Sequence, residues 1–223
     1  MERELPKKHL FLMLAVLAAG ILMTATVAFA DGFSVVKYSS RISVTKGDYY
    51  AINMGTKTKN AKTVTVKSSK ASVADAFMSG STVMFDAKKA GKATLTITVT
   101  AKNGKKKTYK CKVVIYNYTN PVKSFKVGNT QFASKFKRPN VGELYTGAKK
   151  AKVTVTPKAG WKLKKIEHVM ISFSDGMKES TKKVKNKSTI SINGGYEIEE
   201  IVCTFYNPSK KLYEYSTVMI WRM

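Results

Sequence analysis

The stretch that most constrains this chain runs from Ala93 to Tyr116, where ATLTITVT, AKNGKKKT and YKCKVVIY follow one another. Leu95, Ile97 and Val99 alternate with Thr94, Thr96, Thr98 and Thr100, a period of two. Successive side chains of a β-strand point to opposite faces, so the apolar set belongs to a core and the threonines to water. Past Asn103-Gly104, Tyr109, Cys111, Val113 and Ile115 alternate with Lys110, Lys112 and Val114. Both Asn and Gly tolerate positive φ, which a tight type I′ turn requires. The segment is therefore expected to be a hairpin of two half-buried strands closed by such a turn.

Short strands with turn signals continue beyond it. Asn117-Tyr118-Thr119-Asn120-Pro121 reads as a linker, since proline cannot continue a ladder. Val122 to Val127, Ala151 to Pro157, Trp161 to Phe173, Thr189 to Ile192, Glu197 to Tyr206 and Leu212 to Trp221 are the strand candidates after it, and residues around Pro139, Gly142 and Gly147 read as hinge-like. Ser174-Asp175-Gly176, Asn193-Gly194-Gly195 and Asn207-Pro208-Ser209 mark turns. With no helix-length amphipathic segment, the expected class is all-β, two consecutive Ig-like β-sandwiches over residues 31–117 and 121–223. Phe77, Met84 and Phe85 are expected in the first core, and Trp161, Phe173, Phe205 and Trp221 in the second. Tyr49, Tyr50, Tyr116 and Tyr118 are expected to be exposed.

In the first of these regions, Ile42-Ser43-Val44-Thr45-Lys46-Gly47-Asp48-Tyr49-Tyr50 leads in and Val64-Thr65-Val66-Lys67-Ser68-Ser69 stands in the middle. Ala71-Ser72-Val73-Ala74 and Ala90-Gly91-Lys92-Ala93-Thr94-Leu95-Thr96-Ile97 follow. In that order, over about residues 40–116, they resemble a bacterial immunoglobulin-like domain of group 2, BIG2. That family has an x-K-G-D-x-Y opening, a W-x-S-S-x-x-x-V-A centre and an A-G-x-A-T-I-T strand. The chain departs from it at the tryptophan, where Val66 stands, and has Ser79-Gly80-Ser81-Thr82-Val83 in place of a glycine-rich link. The resemblance implies an Ig-like sandwich and a place among bacterial surface proteins and adhesins, some of which are plain spacers.

Residues 1–30 read as a signal peptide. Arg3, Lys7 and Lys8 precede an apolar run from Leu10 to Ala30, and Ala28-Phe29-Ala30 offers a cleavage site ahead of Asp31. The alternative is an uncleaved anchor, because the run is about the ~20 residues that span a bilayer. Export, to the medium or the cell surface, is expected either way. No cysteine lies near the cleavage point to suggest a lipoprotein, and no LPxTG-like sorting signal is seen.

Basic residues outnumber acidic ones 40 to 14, for a net charge of +26. Most are lysines spread through strands and turns, with two dense windows. Lys102, Lys105, Lys106, Lys107, Lys110 and Lys112 lie in one; Lys149, Lys150 and Lys152 lie in the other. Such an excess keeps strand edges apart and the chain soluble, and it also attracts polyanions over long range. An exported chain with few arginines for bidentate base contacts and no recognition motif is not expected to bind nucleic acid. The expected partners are an anionic cell-wall polymer, an acidic glycan or a surface protein, with a membrane reached only through an uncleaved signal segment.

Residues that could carry chemistry are few. His168 beside Glu167 reads as a surface pair on a strand, and Glu197, Glu199, Glu200 and Glu214 as neutralising nearby lysines across strands. Asp31, Asp48, Asp75 and Asp86 are too scattered for calcium, which takes six or more oxygens. No zinc spacing, phosphate loop or dinucleotide fingerprint occurs, so no metal, cofactor or catalytic residue is expected. Cys111 and Cys203 each fall on the apolar face of a strand in different halves and are expected to be free, buried thiols without a disulfide. The sequence thus points to a non-enzymatic exported binding or adhesion module. A structural spacer or assembly subunit, or an accessory module of a secreted carbohydrate-active enzyme, stands as the alternative.

Overall fold

Leu95 and Ile97 are fully buried and Val99 nearly so, while Thr94, Thr96, Thr98 and Thr100 keep partial exposure, as the alternation requires. These positions come from a computed structural model that describes residues 33–137, 141–173, 178–193 and 198–223. The signal segment, Pro139, the turn at Ser174-Asp175-Gly176, Gly194-Gly195 and Glu197 lie outside the described residues.

The first half folds into eight strands: β1 Phe33–Lys37, β2 Arg41–Thr45, β3 Tyr49–Asn53, β4 Ala61–Ser68, β5 Ala74–Ser79, β6 Thr82–Ala87, β7 Gly91–Ala101 and β8 Lys106–Tyr116. They form two four-stranded sheets, β1-β3-β6-β5 and β2-β8-β7-β4. Among the strands after β2, those in positions one, four and three pair in one sheet and those in positions six, five and two in the other, which is the B-E-D and G-F-C division of an immunoglobulin sandwich. The inner faces meet in a core that includes Ile42, Tyr50, Phe85, Leu95, Ile97, Cys111 and Val113. The Lys46-Gly47-Asp48 turn has a structural task in this arrangement. Gly47 sits at φ 95°, a conformation that L side chains resist, and its N–H donates to the carbonyl of Ala87 at 2.9 Å. That turn delivers Tyr50 into the core, stacked on Phe85 with ring centroids 5.2 Å apart. Tyr50 was expected outside; its hydroxyl instead donates to the Thr45 carbonyl, which lets the ring be buried with its polar end satisfied.

The second half contributes β9 Val122–Val127, β10 Thr130–Gln131, β11 Val141–Thr146, β12 Lys150–Pro157, β13 Lys162–Ser172, β14 Lys178–Lys183, β15 Thr189–Ser191, β16 Ile198–Asn207 and β17 Leu212–Arg222. Sheets β10-β9-β12-β15 and β11-β17-β16-β13-β14 pack around Phe125, Phe136, Val153, Trp161, Ile166, Cys203 and Phe205. Two of the aromatic residues expected in this core stand elsewhere. Phe173 is half exposed, and Trp221 pairs with Tyr145 on the side of the sheet opposite Leu144 and Ile220. In the first sandwich Phe77 is likewise exposed and edge-on to Tyr49, at 6.4 Å between centroids.

The hairpin turn differs from the type I′ expectation. Gly104 alone is in the positive region, at φ 81°, and Asn103 is not. Gly104 N–H donates to the Ala101 carbonyl at 3.0 Å, and Ala101 N–H to Lys105 at 2.8 Å. This is a three-residue loop in which a type I turn is followed by a left-handed glycine. The Asn103 side chain accepts from Lys105 N–H, so asparagine serves here as a local acceptor and not through its own backbone. A Cβ on Gly104 would meet nothing within 4 Å, so Gly104→Ala isolates the backbone cost. It should destabilise by about 1 kcal/mol, whereas Gly147→Ala, at a position without positive φ and also open, should be neutral or stabilise by up to about 1 kcal/mol. Urea unfolding of the two variants side by side measures both.

Candidate functional site

Register fixes which side chains share the outer face of the β2-β8-β7-β4 sheet. Thr94 faces Lys112, Thr96 faces Lys110, Thr98 faces Thr108 and Thr100 faces Lys106 across β7 and β8. On one flank Thr100, Thr98 and Thr96 pair with Thr63, Thr65 and Lys67 of β4. On the other, Lys112 pairs with Arg41 of β2, and Lys92 opposes Val114. The result is a lattice of threonines and cations, about 7 Å between same-face neighbours along a strand and about 4.8 Å between strands. None of these four strands carries an Asp or Glu.

The carboxylates are segregated. In the first sandwich Asp75 and Asp86 oppose each other across β5 and β6 in the other sheet, with Lys88 ion-paired to Asp75. In the second, Glu143, Glu167, Glu179, Glu199, Glu200 and Glu214 all belong to the five-stranded sheet. The β10-β9-β12-β15 sheet has none, and Lys126, Thr154 and Thr156 stand on its outer face.

The lysines singled out in the sequence divide accordingly. Lys106, Lys110 and Lys112 share the threonine face, and Lys102 and Lys105 border its hairpin tip. Lys107 has the opposite parity, facing Val99, and its ammonium lies 5.4 Å from the Tyr109 ring centroid. Lys150 and Lys152 belong to β12 in the other sandwich, with Lys149 just before it. The sequence reading missed Arg41, Lys67 and Lys92. Their strand parity was legible, but which strands become neighbours was not.

The acidic residues also correct the sequence reading. His168 is no surface group. It is 4% exposed, and its Nε2 lies 2.7 Å from the Glu199 carboxylate across β13 and β16. A buried charge-capable pair satisfied this way holds strands in register and offers no open access to a substrate. Glu214 turns to the Thr45 hydroxyl of the first sandwich, both groups being buried. Glu200, on the opposite face from Glu199, has its carboxyl pushed up to about 7 by burial, with Glu179 adding repulsion. Burial likewise pushes the Cys111 thiol up to about 12 and raises Cys203; both thiols are free and buried, each in its own core. Among the described residues no His, Cys, Asp or Glu cluster could hold a metal ion, and no helix is long and apolar enough to cross a membrane.

Fold and surface together define an all-β chain of Ig-like sandwiches, one sheet of which presents cations on strands that carry no Asp or Glu. No family model matches the sequence, and no curated protein matches it. Among solved structures it is similar to the fibronectin(III)-like modules of Clostridium thermocellum CbhA, at 11% identity over 82% of this chain and 89% of that one, with a TM-score of 0.29. The tandem Ig repeats of Dlar match at 11% identity, 81% and 92% coverage and a TM-score of 0.34. SGBP-B of a Bacteroides ovatus mixed-linkage glucan utilization locus, solved with a mixed-linkage heptasaccharide, matches at 14% identity, 80% and 42% coverage and a TM-score of 0.28.

Two outcomes follow from the buried groups. An unfolded glutamate releases its proton near pH 4.3 and folded Glu200 near 7. Between those values the native state holds more protons, so Glu200 costs stability progressively as pH rises through that window. Glu200→Gln should therefore melt above the parent at pH 8, with the difference closing toward pH 4. An equal difference at both pH values would sink the assignment. Thiol labelling at pH 8 should be negligible in the native protein and reach two thiols per chain in denaturant without reductant, since only thiolate reacts and buried thiols are protected.

Proposed function

We propose that this chain is an exported, non-catalytic bacterial Ig-like protein of the BIG2 kind that binds an anionic cell-surface polymer through the outer face of its β2-β8-β7-β4 sheet. The observation that carries the reading is the segregation of charge. Arg41, Lys67, Lys92, Lys106, Lys110 and Lys112 share a face with threonines on four strands that carry no Asp or Glu. Solubility alone calls for both signs interspersed. Same-face neighbours about 7 Å apart lie within a Debye length of about 8 Å at physiological salt, so their fields add toward a polymer laid across them. The threonine hydroxyls supply short donors and acceptors between the charges. Anionic wall polymers and acidic glycans carry regularly repeated negative groups and suit such a face. The His168–Glu199 pair, buried and closed to a substrate, favours binding over catalysis.

Chromatography over immobilised wall polymer or heparin in a salt gradient tests the reading. Replacing Lys106, Lys110 and Lys112 together by Gln should lower the salt needed for elution substantially, and replacing Lys107 alone should change it little. The thermal midpoints should move by less than the equivalent of about 0.5 kcal/mol. Equal loss from both variants would mean that bulk charge and not the face is responsible. No retention of the parent at physiological salt would leave the lysines as a solubility device and favour a spacer.

A further inference from the structure

The outer face of the β11-β17-β16-β13-β14 sheet has a different character. Val141, Glu143 and Tyr145 of β11 share it with Thr217, Met219 and Trp221 of β17. Glu200, Val202, Thr204 and Tyr206 of β16 oppose Met219, Thr217, Tyr215 and Tyr213. Beyond them stand Glu167, Val169 and Ile171 of β13, with Ile171 opposite Ile198. Three exposed large hydrophobic residues, Tyr145, Phe173 and Tyr213, at 59%, 50% and 50% exposure, lie on or at the ends of this sheet.

An outer sheet face with one solvated side ordinarily reads polar at every second residue. Here β16 and β17 read Ile-Glu-Glu-Ile-Val-Cys-Thr-Phe-Tyr-Asn and Leu-Tyr-Glu-Tyr-Ser-Thr-Val-Met-Ile-Trp-Arg, apolar or aromatic on both sides. That is the pattern of strands covered on both faces. The Thr204 hydroxyl and the Trp221 indole N–H on this side are buried without a hydrogen-bond partner.

We propose that this face is the interface of a homodimer, packing on the same face of a second copy of the chain about a two-fold axis. Charge selects a second copy over other occupants. The chain is strongly cationic at +26, so two copies repel through their lysine surfaces, and this sheet is where its carboxylates gather. On it Glu143, Glu167, Glu179 and Glu200 are set against Lys162, Lys165 and Lys183, and Lys165 already pairs with Glu167 at 2.8 Å. A near-neutral face carrying both signs is self-complementary in an isologous contact, where each group of one copy meets its counterpart's partner. The centre, formed by Val169, Ile171, Ile198, Val202 and Met219, is aliphatic, which suits a protein surface better than a sugar ring. Five strands at about 4.8 Å and a length of about 25 Å give on the order of 500–600 Å² in plane. That is the scale of the ~800 Å² of accessible surface each partner of a stable complex buries.

Sedimentation equilibrium of the full chain at 0.15 M and at 1 M NaCl tests the proposal, because apolar contacts outlast salt that screens surface charge. A dimer in both salts is expected. Tyr145→Lys with Phe173→Lys, both exposed positions, should shift the mass to the monomer while leaving the thermal midpoint of the monomer unit intact. The Lys106, Lys110 and Lys112 to Gln variant, directed at the polymer-binding reading, should remain dimeric. A monomeric parent at 100 µM would overturn the proposal. So would a dimer indifferent to the Tyr145 and Phe173 changes, or one abolished by the lysine changes.

Discussion

Each sandwich depends on its first segment changing sheets. In the first, β1 pairs in parallel with β3 on one sheet; at Tyr38–Ser40 the chain passes along the edge of the sandwich and β2 pairs in parallel with β8 on the other. In the second, β9 pairs with β12, and β11 then runs parallel to β17 in the facing sheet. Two sheets about 10 Å apart are held mainly by interdigitating side chains. A segment that belongs to both ties them covalently and caps the open edges of β8 and β17, which would otherwise present unpaired backbone to other chains.

The same economy governs the junction. Tyr116 is the last residue of β8, yet it packs against the second core, and Lys210 lies 5.3 Å from the centroid of its ring. Glu214, on β17, reaches the Thr45 hydroxyl at the end of β2. Residues 117–121 are therefore no free tether. The Asn120 amide donates to the Ala133 carbonyl at 2.9 Å while its oxygen accepts from Val122 N–H. The break in pattern at Asn117–Pro121 marks where one ladder stops, but its asparagine anchors the next.

How far the sequence revealed this depended on what each residue's signal measures. Leu95, Ile97 and Val99 announced their strand because a period of two is local. The turn type at Asn103 was missed because Asn-Gly suits more than one loop, and the choice is made by the length at which β7 and β8 come into register. β14, Lys-Glu-Ser-Thr-Lys-Lys, has no apolar residue; it exists because β13 offers it an edge. Trp221 and Phe173 were assigned to a core on hydrophobicity, although parity decides the face and β17 is apolar on both. The cationic face was half legible: Lys110 and Lys112 stood in a dense window, but Arg41 and Lys67 join them only through pairing of strands far apart in sequence. His168 was misread because its adjacent Glu167 was visible and Glu199, 31 residues on, was not.

The parallel pairing of β2 with β8, and of β11 with β17, also sets how the molecule bears load. A pull that enters a sandwich at its early strand and leaves by its last one drives the two parallel neighbours in opposite directions along their common axis. The rungs between them, at Arg41 to Thr45 and at Val141 to Thr146, are then strained together in shear. An unzipping geometry would strain them one at a time. A chain held at a cell surface under flow would meet force through its most resistant ladders.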